Sequence, residues 1–488
     1  MELYDGASFR QRLVQYLRDF EADLVDGAAR LHFRHYIKGQ LGSAPRKNIE
    51  RMALRNGASV RTLQAFLESY AWDQDAARRR VQQIVAAHFA DPDAIAIIDE
   101  TGIPKKGDKT AGVQRQYCGA SGKIDNCVML VGLAFASEKI HALLDLEVYL
   151  PKSWVDDPER CREAHIPPEA CVLRSKLDIS LEQLRRAQAN GVRFRWATAD
   201  EFYGRSSSWR REVAGLGLLY VVEVPKNFRG WLPSRLGKAR GDEVVPCEGG
   251  EAREVCDLWR RGGPTWAAYH VKDTEKGPEV WEVRVTRFTP CTEGRAEDEG
   301  ELLVARNVLT GEVKYFFSNA PLGTPACVLG QVAFSRWRVE RCFEDVKGEV
   351  GLDHFEVRHW LPLVRHLALA LVSVLFLAIE RKNWAEAGGW FWSARAVRAM
   401  VEVVLTAETD GEFRRRWAAA LKEREYYEKR RGAAMRSHRK KRLEKLASIG
   451  LDPASLPRFR FMPVAPLENH NHPNSQQLEK ERSMTITL

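Results

Sequence analysis

Three acidic side chains stand out in this chain of 488 residues, because each lies on a segment that can place it beside the others. Asp99 closes the apolar run AIAIID, Asp200 closes FRWATAD, and Glu340 lies within RVERCFEDVKGEV. Carboxylate oxygens without histidine or cysteine suit Mg²⁺ or Mn²⁺ rather than zinc. Two such ions about 4 Å apart would activate an attacking oxygen and stabilise the leaving oxygen in an in-line displacement at phosphorus.

Two of these acids have an adjacent carboxylate that competes for the same role. Glu100 follows Asp99 directly and therefore points to the opposite face of a strand, which makes it a poor ligand. The same argument applies with less force to Glu201, because Asp200 lies at the end of a strand. Taken singly, each aspartate could also be an ordinary cap or turn residue.

Residues 331–358 predict the helix that carries the third acid. At 3.6 residues per turn one apolar stripe collects Val332, Val339, Phe343, Val346 and Val350. Arg336, Glu340 and Lys347 form a second stripe beside it, so a carboxylate stands between two cations. This arrangement suits a site for a metal ion and phosphates. An ordinary amphipathic helix with solvated i,i+4 partners would show the same pattern.

Glu344 is the rival of Glu340 on this helix. Glu340 lies about 90° from the centre of the apolar stripe on a helical wheel, and Glu344 about 130°. Glu340 is therefore nearer the core and is the preferred ligand, with Glu344 in a supporting position behind it.

The elements that must position these acids have a recognisable order. Runs at 94–99, 127–137 and 141–150 predict three consecutive strands of a meander. A helix, a strand, a helix and a strand follow at 180–190, 194–200, 207–214 and 218–224. This is the order of a ribonuclease-H-like α/β fold, in which the first and fourth strands are neighbours and their acids converge.

The predicted fold is a ribonuclease-H-like mixed sheet with a β-rich insertion, flanked by helical N-terminal and C-terminal regions. Its parts are a helical N-terminal domain (1–88), the first part of the core (89–225), the β-rich insertion (226–325), the last part of the core with the acid-bearing helix (326–385), a helical basic region (386–460) and a disordered tail (461–488).

Composition points toward a polyanionic partner. The net charge is +9, and residues 414–445 alone carry 14 Lys or Arg against 4 Glu. The nine cysteines show no CxxC pair, which is typical of reduced thiols in a cytosolic protein. No signal peptide is evident, and the most apolar run, 367–379, is too short to span a bilayer. We therefore expect a soluble intracellular protein without a membrane partner.

Five motifs carry a resemblance to a known family. They are IIDETGIPKKG around Asp99, RQYCGASGKIDNC at 115–127, VYLPKSWVDDPERC at 148–161, TADEFYG around Asp200, and RWRVERCFEDVKGEVGLDHFEVR from Arg336. The chain resembles bacterial insertion-sequence transposases of the DDE class, in the branch of DDE superfamily endonucleases with a β insertion before the last acid. The family's tyrosine-arginine-glutamate-lysine signature maps onto Arg336, Glu340 and Lys347. Its tyrosine falls at Ala333, a departure from the family.

The resemblance implies a site and its partners. Asp99, Asp200 and Glu340 would hold two Mg²⁺ (or Mn²⁺) ions, while Arg336 and Lys347 would contact DNA. The partner would be double-stranded DNA, both the terminal inverted repeats and the target, bound by a homodimer in a synaptic complex. The expected location is the cytoplasm, in association with the nucleoid.

Further basic residues are candidates for contact with DNA. Lys105 and Lys106, just past the first strand, either touch phosphate or lie in a solvated turn. The basic stretch 414–445 also carries Trp417, Tyr426 and Tyr427, and its charge favours DNA over a solvated surface.

The reaction that the resemblance implies has two phosphoryl transfers. Water would cut at the ends of an element and expose a 3′-hydroxyl, which would then attack target DNA. A metal-dependent endonuclease without strand transfer shares the same site, and an inactive DNA-binding relic is the rival from another class. The presence of all three acids argues against the relic.

Overall fold

The computed structural model describes residues 6–24, 26–232, 251–258, 265–388, 392–407 and 409–462. The predicted disordered tail at 461–488 lies outside these residues from position 463 onward.

Within the residues described, the N-terminal region is a set of five helices, and polar side chains cap the start of the last four. They are α1 (Gly6–Glu21), α2 (Gly27–Leu41), α3 (Ile49–Arg55), α4 (Val60–Glu68) and α5 (Gln74–His88). The side chains of Asp26, Asn48, Ser59 and Asp73 accept hydrogen bonds from the first turns of α2, α3, α4 and α5. The stretch from Val60 to His88 forms two helices, because Asp73 caps the start of α5.

The central part alternates strands and helices. Its elements are β1 (Ile95–Pro104), β2 (Gln114–Cys118), β3 (Lys123–Ala136), β4 (His141–Val148), α6 (Lys152–Val155), α7 (Pro158–Glu163), α8 (Lys176–Ala189), β5 (Trp196–Thr198), α9 (Glu201–Gly204), α10 (Ser207–Gly215) and β6 (Leu219–Val224).

Strand pairing confirms the predicted ribonuclease-H-like core. The order is β4–β3–β1–β5–β6, with β4, β3 and β1 antiparallel and β1, β5 and β6 parallel. Two details differ from the prediction. Strand β1 continues past Asp99 to Pro104, and β2 lies in what was expected to be a loop, because both extend the ladder with β3.

The insertion adds further strands to the same sheet. Its elements are β7 (Arg229–Trp231), β8 (Arg253–Glu254), α11 (Val255–Leu258), β9 (Ala267–Thr274), β10 (Gly277–Thr292), β11 (Arg295–Ala296), β12 (Gly300–Asn307) and β13 (Val313–Ser318). Strand β13 pairs antiparallel with β6, from Tyr315 opposite Val224 to Ser318 opposite Val221. The sheet therefore runs from the core into the insertion without a break.

The C-terminal part is helical. Its helices are α12 (Ala326–Ala333), α13 (Trp337–Val350), α14 (Trp360–Gly388), α15 (Ala394–Thr406) and α16 (Asp410–Ala447).

The prediction of one helix over 331–358 is wrong at both ends. The chain turns at Phe334, whose ring packs against Trp281 and Phe459 at centroid distances of 5.0 and 5.4 Å. Helix α13 ends at Gly351, whose φ of +75° is the left-handed conformation that glycine adopts readily at a helix C-terminus. The predicted apolar stripe is nevertheless buried, from Val339 to Val350.

Helix α14 is longer than its apolar run indicates. At 29 residues it is long and apolar enough to cross a membrane by length and composition. The prediction that this segment is too short to span a bilayer, made from the run 367–379, was therefore wrong on length. However, 89% of its most apolar window of 18 residues is buried inside the protein. Two of its buried charged side chains have partners: Arg365 donates to the carbonyl of Leu67, and Glu380 accepts from Arg12. These are features of a core helix.

Candidate active site

Asp99 and Asp200 reach the same level of the sheet from neighbouring strands. Strand β1 runs parallel to β5, with Ile97 opposite Thr198. Each aspartate lies two residues beyond this pair, so both carboxylates lie just past the point where the parallel pairing of β1 with β5 ends. This juxtaposition was predicted from the strand order alone.

Local hydrogen bonds orient both carboxylates. Asp99 Oδ1 accepts from the backbone N–H of Glu100 at 2.8 Å. Asp200 is the N-cap of α9, and its Oδ1 accepts from the N–H groups of Phe202 and Tyr203 at 3.0 and 3.5 Å. Helix α9 lies so close to β6 that a Cβ on Gly204 would come within 1.9 Å of the Glu223 carbonyl oxygen. Glycine is therefore required there to hold Asp200 at the sheet.

Helix α13 lies over β1 and β3 and brings in the third acid. The ring of Phe343 packs where Gly132 of β3, the partner of Asp99, has no side chain. A Cβ on Gly132 would meet that ring at 2.8 Å, so the glycine lets the helix approach. Glu340 lies one turn before Phe343 on α13.

The Arg336 guanidinium joins these acids. Its Nη1 donates to Asp99 Oδ2 at 2.7 Å, and its Nη2 lies 2.9 Å from Glu340 Oε1. Its Nε lies 3.9 Å from Glu223 Oε2, and Asp200 also interacts with it electrostatically. Arg336, which was predicted to contact DNA, is in the structure a counterion of these carboxylates.

The carboxylates carry more negative charge than their surroundings offset. The pKa of Asp99 is raised to about 7: burial raises it most, the Arg336 guanidinium lowers it, and the negative charges of Asp200 and Glu340 add to the rise. Burial also raises the pKa of Asp200, with Arg336 and the cap hydrogen bonds acting against it. The site is therefore short of positive charge.

Glu223 is the member of the site that the sequence interpretation missed. It lies on β6, its carboxylate faces Arg336, and it accepts a hydrogen bond from Lys314 Nζ at 3.2 Å. A single charged residue within the otherwise apolar strand LYVVEV was the signal that could have identified it.

The donor chemistry fits divalent ions such as Mg²⁺ or Mn²⁺, because Asp99, Asp200 and Glu340 offer only carboxylate oxygens. Among the residues that the structure describes, however, their oxygens do not form a group with every member within 4.8 Å of the others. Arg336 lies between two of them. For Asp99 Oδ2 and Glu340 Oε1 to serve as ligands, both must release the guanidinium.

The predicted lysines do not join this cluster. Lys347 Nζ donates to the Gly102 carbonyl at 3.0 Å. Lys105 Nζ donates to the Phe355 carbonyl at 2.6 Å and lies 3.3 Å from the centroid of that ring, where burial lowers its pKa to about 8. Both lysines thus hold neighbouring segments together, whereas Lys106 is exposed.

The competing acids point elsewhere. Glu344 is 68% exposed and pairs with Arg341 at 3.1 Å. Glu100 pairs with Lys176 at 2.6 Å, and Glu201 is exposed. Geometry therefore favours Glu340 over Glu344 as the third acid beside Asp99.

Comparison with known proteins supports the predicted family resemblance. The family described as DDE superfamily endonuclease matches residues 19–246, a segment that contains Asp99 and Asp200. The predicted resemblance to DDE-class transposases is confirmed. Glu340 lies outside the matched segment, so its assignment rests on the geometry described above.

Two individual proteins are also similar to this chain. A "Probable transposase for insertion sequence element IS701" from Microchaete diplosiphon is 28% identical over 197 residues, which are 40% of this chain and 49% of that protein. The chain thus spans about half the length of this curated relative. The solved structure of a piggyBac transposase synaptic complex with hairpin DNA aligns with a TM-score of 0.36 and 11% identity, over 80% of this chain and 73% of that one.

Proposed function

We propose that this protein is a DNA transposase of an insertion sequence, with Asp99, Asp200 and Glu340 as ligands of two divalent ions, Mg²⁺ or Mn²⁺. The observation that carries the proposal is the convergence of Asp99 and Asp200 on adjacent parallel strands, with Glu340 tied to Asp99 through Arg336. When bound, the ions would activate the attacking oxygen and neutralise charge that develops at phosphorus.

The protein's own groups have distinct tasks in this proposal. The cap of α9 holds Asp200, and the Phe343–Gly132 contact fixes the helix that presents Glu340. Arg336 offsets part of the negative charge while no ion is bound. Glu223 adds a fourth carboxylate, which lies beside the Nε atom of Arg336 and helps to position the guanidinium.

Helix α16 is the proposed DNA-contacting surface. It packs on the body of the protein through Trp417 and Leu446, and Arg439 pairs with Asp273 at 2.7 Å. Along the rest of the helix the exposed cations include Lys429, Arg430, Arg436, Lys440 and Lys441. Such a row suits the phosphates of double-stranded DNA, which it would bind without regard to base sequence. We place this activity at the bacterial nucleoid, in a homodimer that pairs two element ends.

The test of the site compares cleavage with binding on a duplex that carries the inverted repeats flanking the gene. Asp99→Asn, Asp200→Asn and Glu340→Gln are each expected to reduce cleavage by more than about 10³-fold, because each removes a metal ligand. DNA binding should remain within about twofold of wild type, since none of the three lies on α16.

Glu344→Gln is the matched control for Glu340→Gln, because it removes the same charge one turn away on the same helix. It should cleave like wild type. Loss of cleavage in Glu344→Gln with retention in Glu340→Gln would transfer the third acid to Glu344. Offering a pre-cut end with a free 3′-hydroxyl and a target plasmid separates the two reactions: joined products indicate a transposase, and their absence with intact cleavage indicates an endonuclease only.

The α16 surface has its own test. Replacing the five exposed cations named above with glutamine should flatten the slope of log affinity against log salt by up to about four, because fewer counterions are released. The control replaces three exposed arginines of the N-terminal helices, Arg51, Arg61 and Arg79, with glutamine. A larger effect of the control set would place DNA on the N-terminal helices instead.

A further inference from the structure

A cluster of one carboxylate and two imidazole side chains lies away from the carboxylate site. Glu68 at the end of α4, His165 in the turn after α7, and His359 just before α14 each offer one ligand atom within 4.8 Å of the others. His359 Nδ1 lies 2.8 Å from Glu68 Oε1, and the His165 and His359 rings stack with centroids 4.1 Å apart.

Hydrogen bonds to backbone carbonyls fix the chain beside each of the three side chains. The N–H of Trp360 donates to the Ala164 carbonyl at 2.9 Å, which keeps the residues next to His359 and His165 together. Arg365 of α14 donates to the carbonyl of Leu67 at 2.9 Å and so holds the end of α4, where Glu68 lies. The three segments are thus held together by contacts that do not involve the ligand side chains themselves.

We propose that Glu68, His165 and His359 bind a divalent transition-metal ion, Zn²⁺ above all, at a site distinct from the carboxylate cluster. Two imidazole nitrogens and one carboxylate oxygen form a donor set that zinc prefers and that Mg²⁺ does not. The side chains of Glu68 and His359 are 50% and 36% exposed, so the ion enters from solvent and water completes its coordination.

The ion would tie the N-terminal helices to the core. Glu68 belongs to the N-terminal helices, whereas His165 and His359 follow and precede elements of the core and its covering helix. Since only the folded chain brings the three together, binding would stabilise the native state by mass action. A histidine nitrogen must carry no proton to coordinate the ion, so binding releases protons to solvent and weakens as the pH falls.

The experiment is zinc titration of the full chain by calorimetry, in excess Mg²⁺ and in a background where His470 and His472 are both alanine. That background removes two histidines that lie outside the described residues. One Zn²⁺ per chain is expected, together with a rise in melting temperature. Co²⁺ should give the visible absorption of a site with nitrogen and oxygen ligands.

Variants assign the ligands. Glu68→Gln, His359→Ala and His165→Asn should each weaken zinc binding by more than about tenfold. Asparagine is chosen at His165 because the backbone there has a φ of +53°, which asparagine tolerates better than alanine. His438→Ala removes an exposed histidine of α16 and should change nothing, and Asp99→Asn should also keep the zinc affinity.

Thiols are the competing ligands for zinc. The Sγ atoms of Cys161 and Cys171 lie 2.7 Å apart, on either side of His165 in sequence. Cys171→Ser should bind zinc like wild type if the proposal holds. Loss of binding in Cys171→Ser, unchanged binding in His359→Ala, or no zinc binding by the full chain would each overturn it.

Discussion

Two clusters of charged side chains in the core balance their charge in opposite ways. Asp145 on β4 is fully buried, and two arginines reach it from different helices. Arg78 Nη1 of α5 lies 3.1 Å from its Oδ1, and Arg186 Nη2 of α8 lies 2.8 Å from its Oδ2. Glu147 beside it pairs with Arg174 at 2.5 Å. Asp145 and Glu147 thus share three arginines, which also pair with the more exposed Asp75 and Glu182.

In the cluster around Asp99, by contrast, three carboxylates share one arginine. Arg336 serves Asp99, Glu340 and Glu223, and the pKa of Asp99 is raised to about 7, chiefly by burial. The Asp145 cluster is complete in itself and joins β4 to α5 and α8. The Asp99 cluster needs additional positive charge, and that deficit is what distinguishes a candidate metal site from a structural ion cluster.

The largest expected effect on stability comes from removing Asp145 from its cluster. Asp145→Ala leaves the Arg78 and Arg186 guanidiniums without their shared carboxylate, so the free energy of unfolding should fall by about 3–5 kcal/mol. Chemical denaturation measures this loss. A loss below about 1 kcal/mol would show that the two arginines find other partners and that the cluster contributes little to stability.

Of these two clusters, Mn²⁺ should act on the one around Asp99 and not on the one around Asp145. At a free Mn²⁺ concentration about a hundred times the dissociation constant, the ion should stabilise wild type by about 2.7 kcal/mol, because it binds the folded state only. Thermal melts should show that Asp99→Asn loses most of this gain. Glu100→Gln, the neighbouring residue on the opposite face of β1, is the control and should keep it. The reverse outcome would contradict the proposed ligands.

Removing the Asp99 charge should stabilise the metal-free protein. The folded-state pKa of Asp99 is about 7, above its ordinary value of 3.8, so the folded protein holds this proton more tightly than the unfolded chain. The contribution of Asp99 to the free energy of unfolding therefore falls as pH rises from about 4 to about 7. Asp99→Asn lacks this decline and should be more stable at neutral pH, on the order of 2 kcal/mol. Urea denaturation across this pH range, compared between variant and wild type, measures it. A variant less stable than wild type at pH 7 would mean that the Arg336 ion pair outweighs burial.

The smallest effect is expected just outside the charge-deficient cluster. Glu344→Gln removes an exposed carboxylate whose partner Arg341 also pairs with Asp345. The free energy of unfolding should change by less than about 0.5 kcal/mol. A larger change in denaturant midpoint would show that the carboxylate cluster extends further along α13 than Arg336 reaches.

Sequence patterns identified the parts of the site that depend on the order of strands. Asp99 and Asp200 were found because apolar runs ending in an acid are typical of buried strands, and the strand order made them neighbours. Contacts between distant segments could not be found in this way. The turn at Phe334 depends on Trp281 and Phe459, and Arg336 turns toward Asp99 only once α13 lies over the sheet. Likewise, no spacing in the sequence connects Glu68, His165 and His359.

The pairing of β6 with β13 has a consequence for how the chain folds as it is synthesised. The outer partner of β6 is β13, the last strand of the insertion, so a nascent chain that ends before Val313 presents the edge of β6 unpaired. Pairings between residues so far apart in sequence form slowly and leave such edges open to association with other chains. Helix α13 emerges later still. An interrupted chain would therefore contain Asp99 and Asp200 but neither Glu340 nor the arginine that offsets their charge.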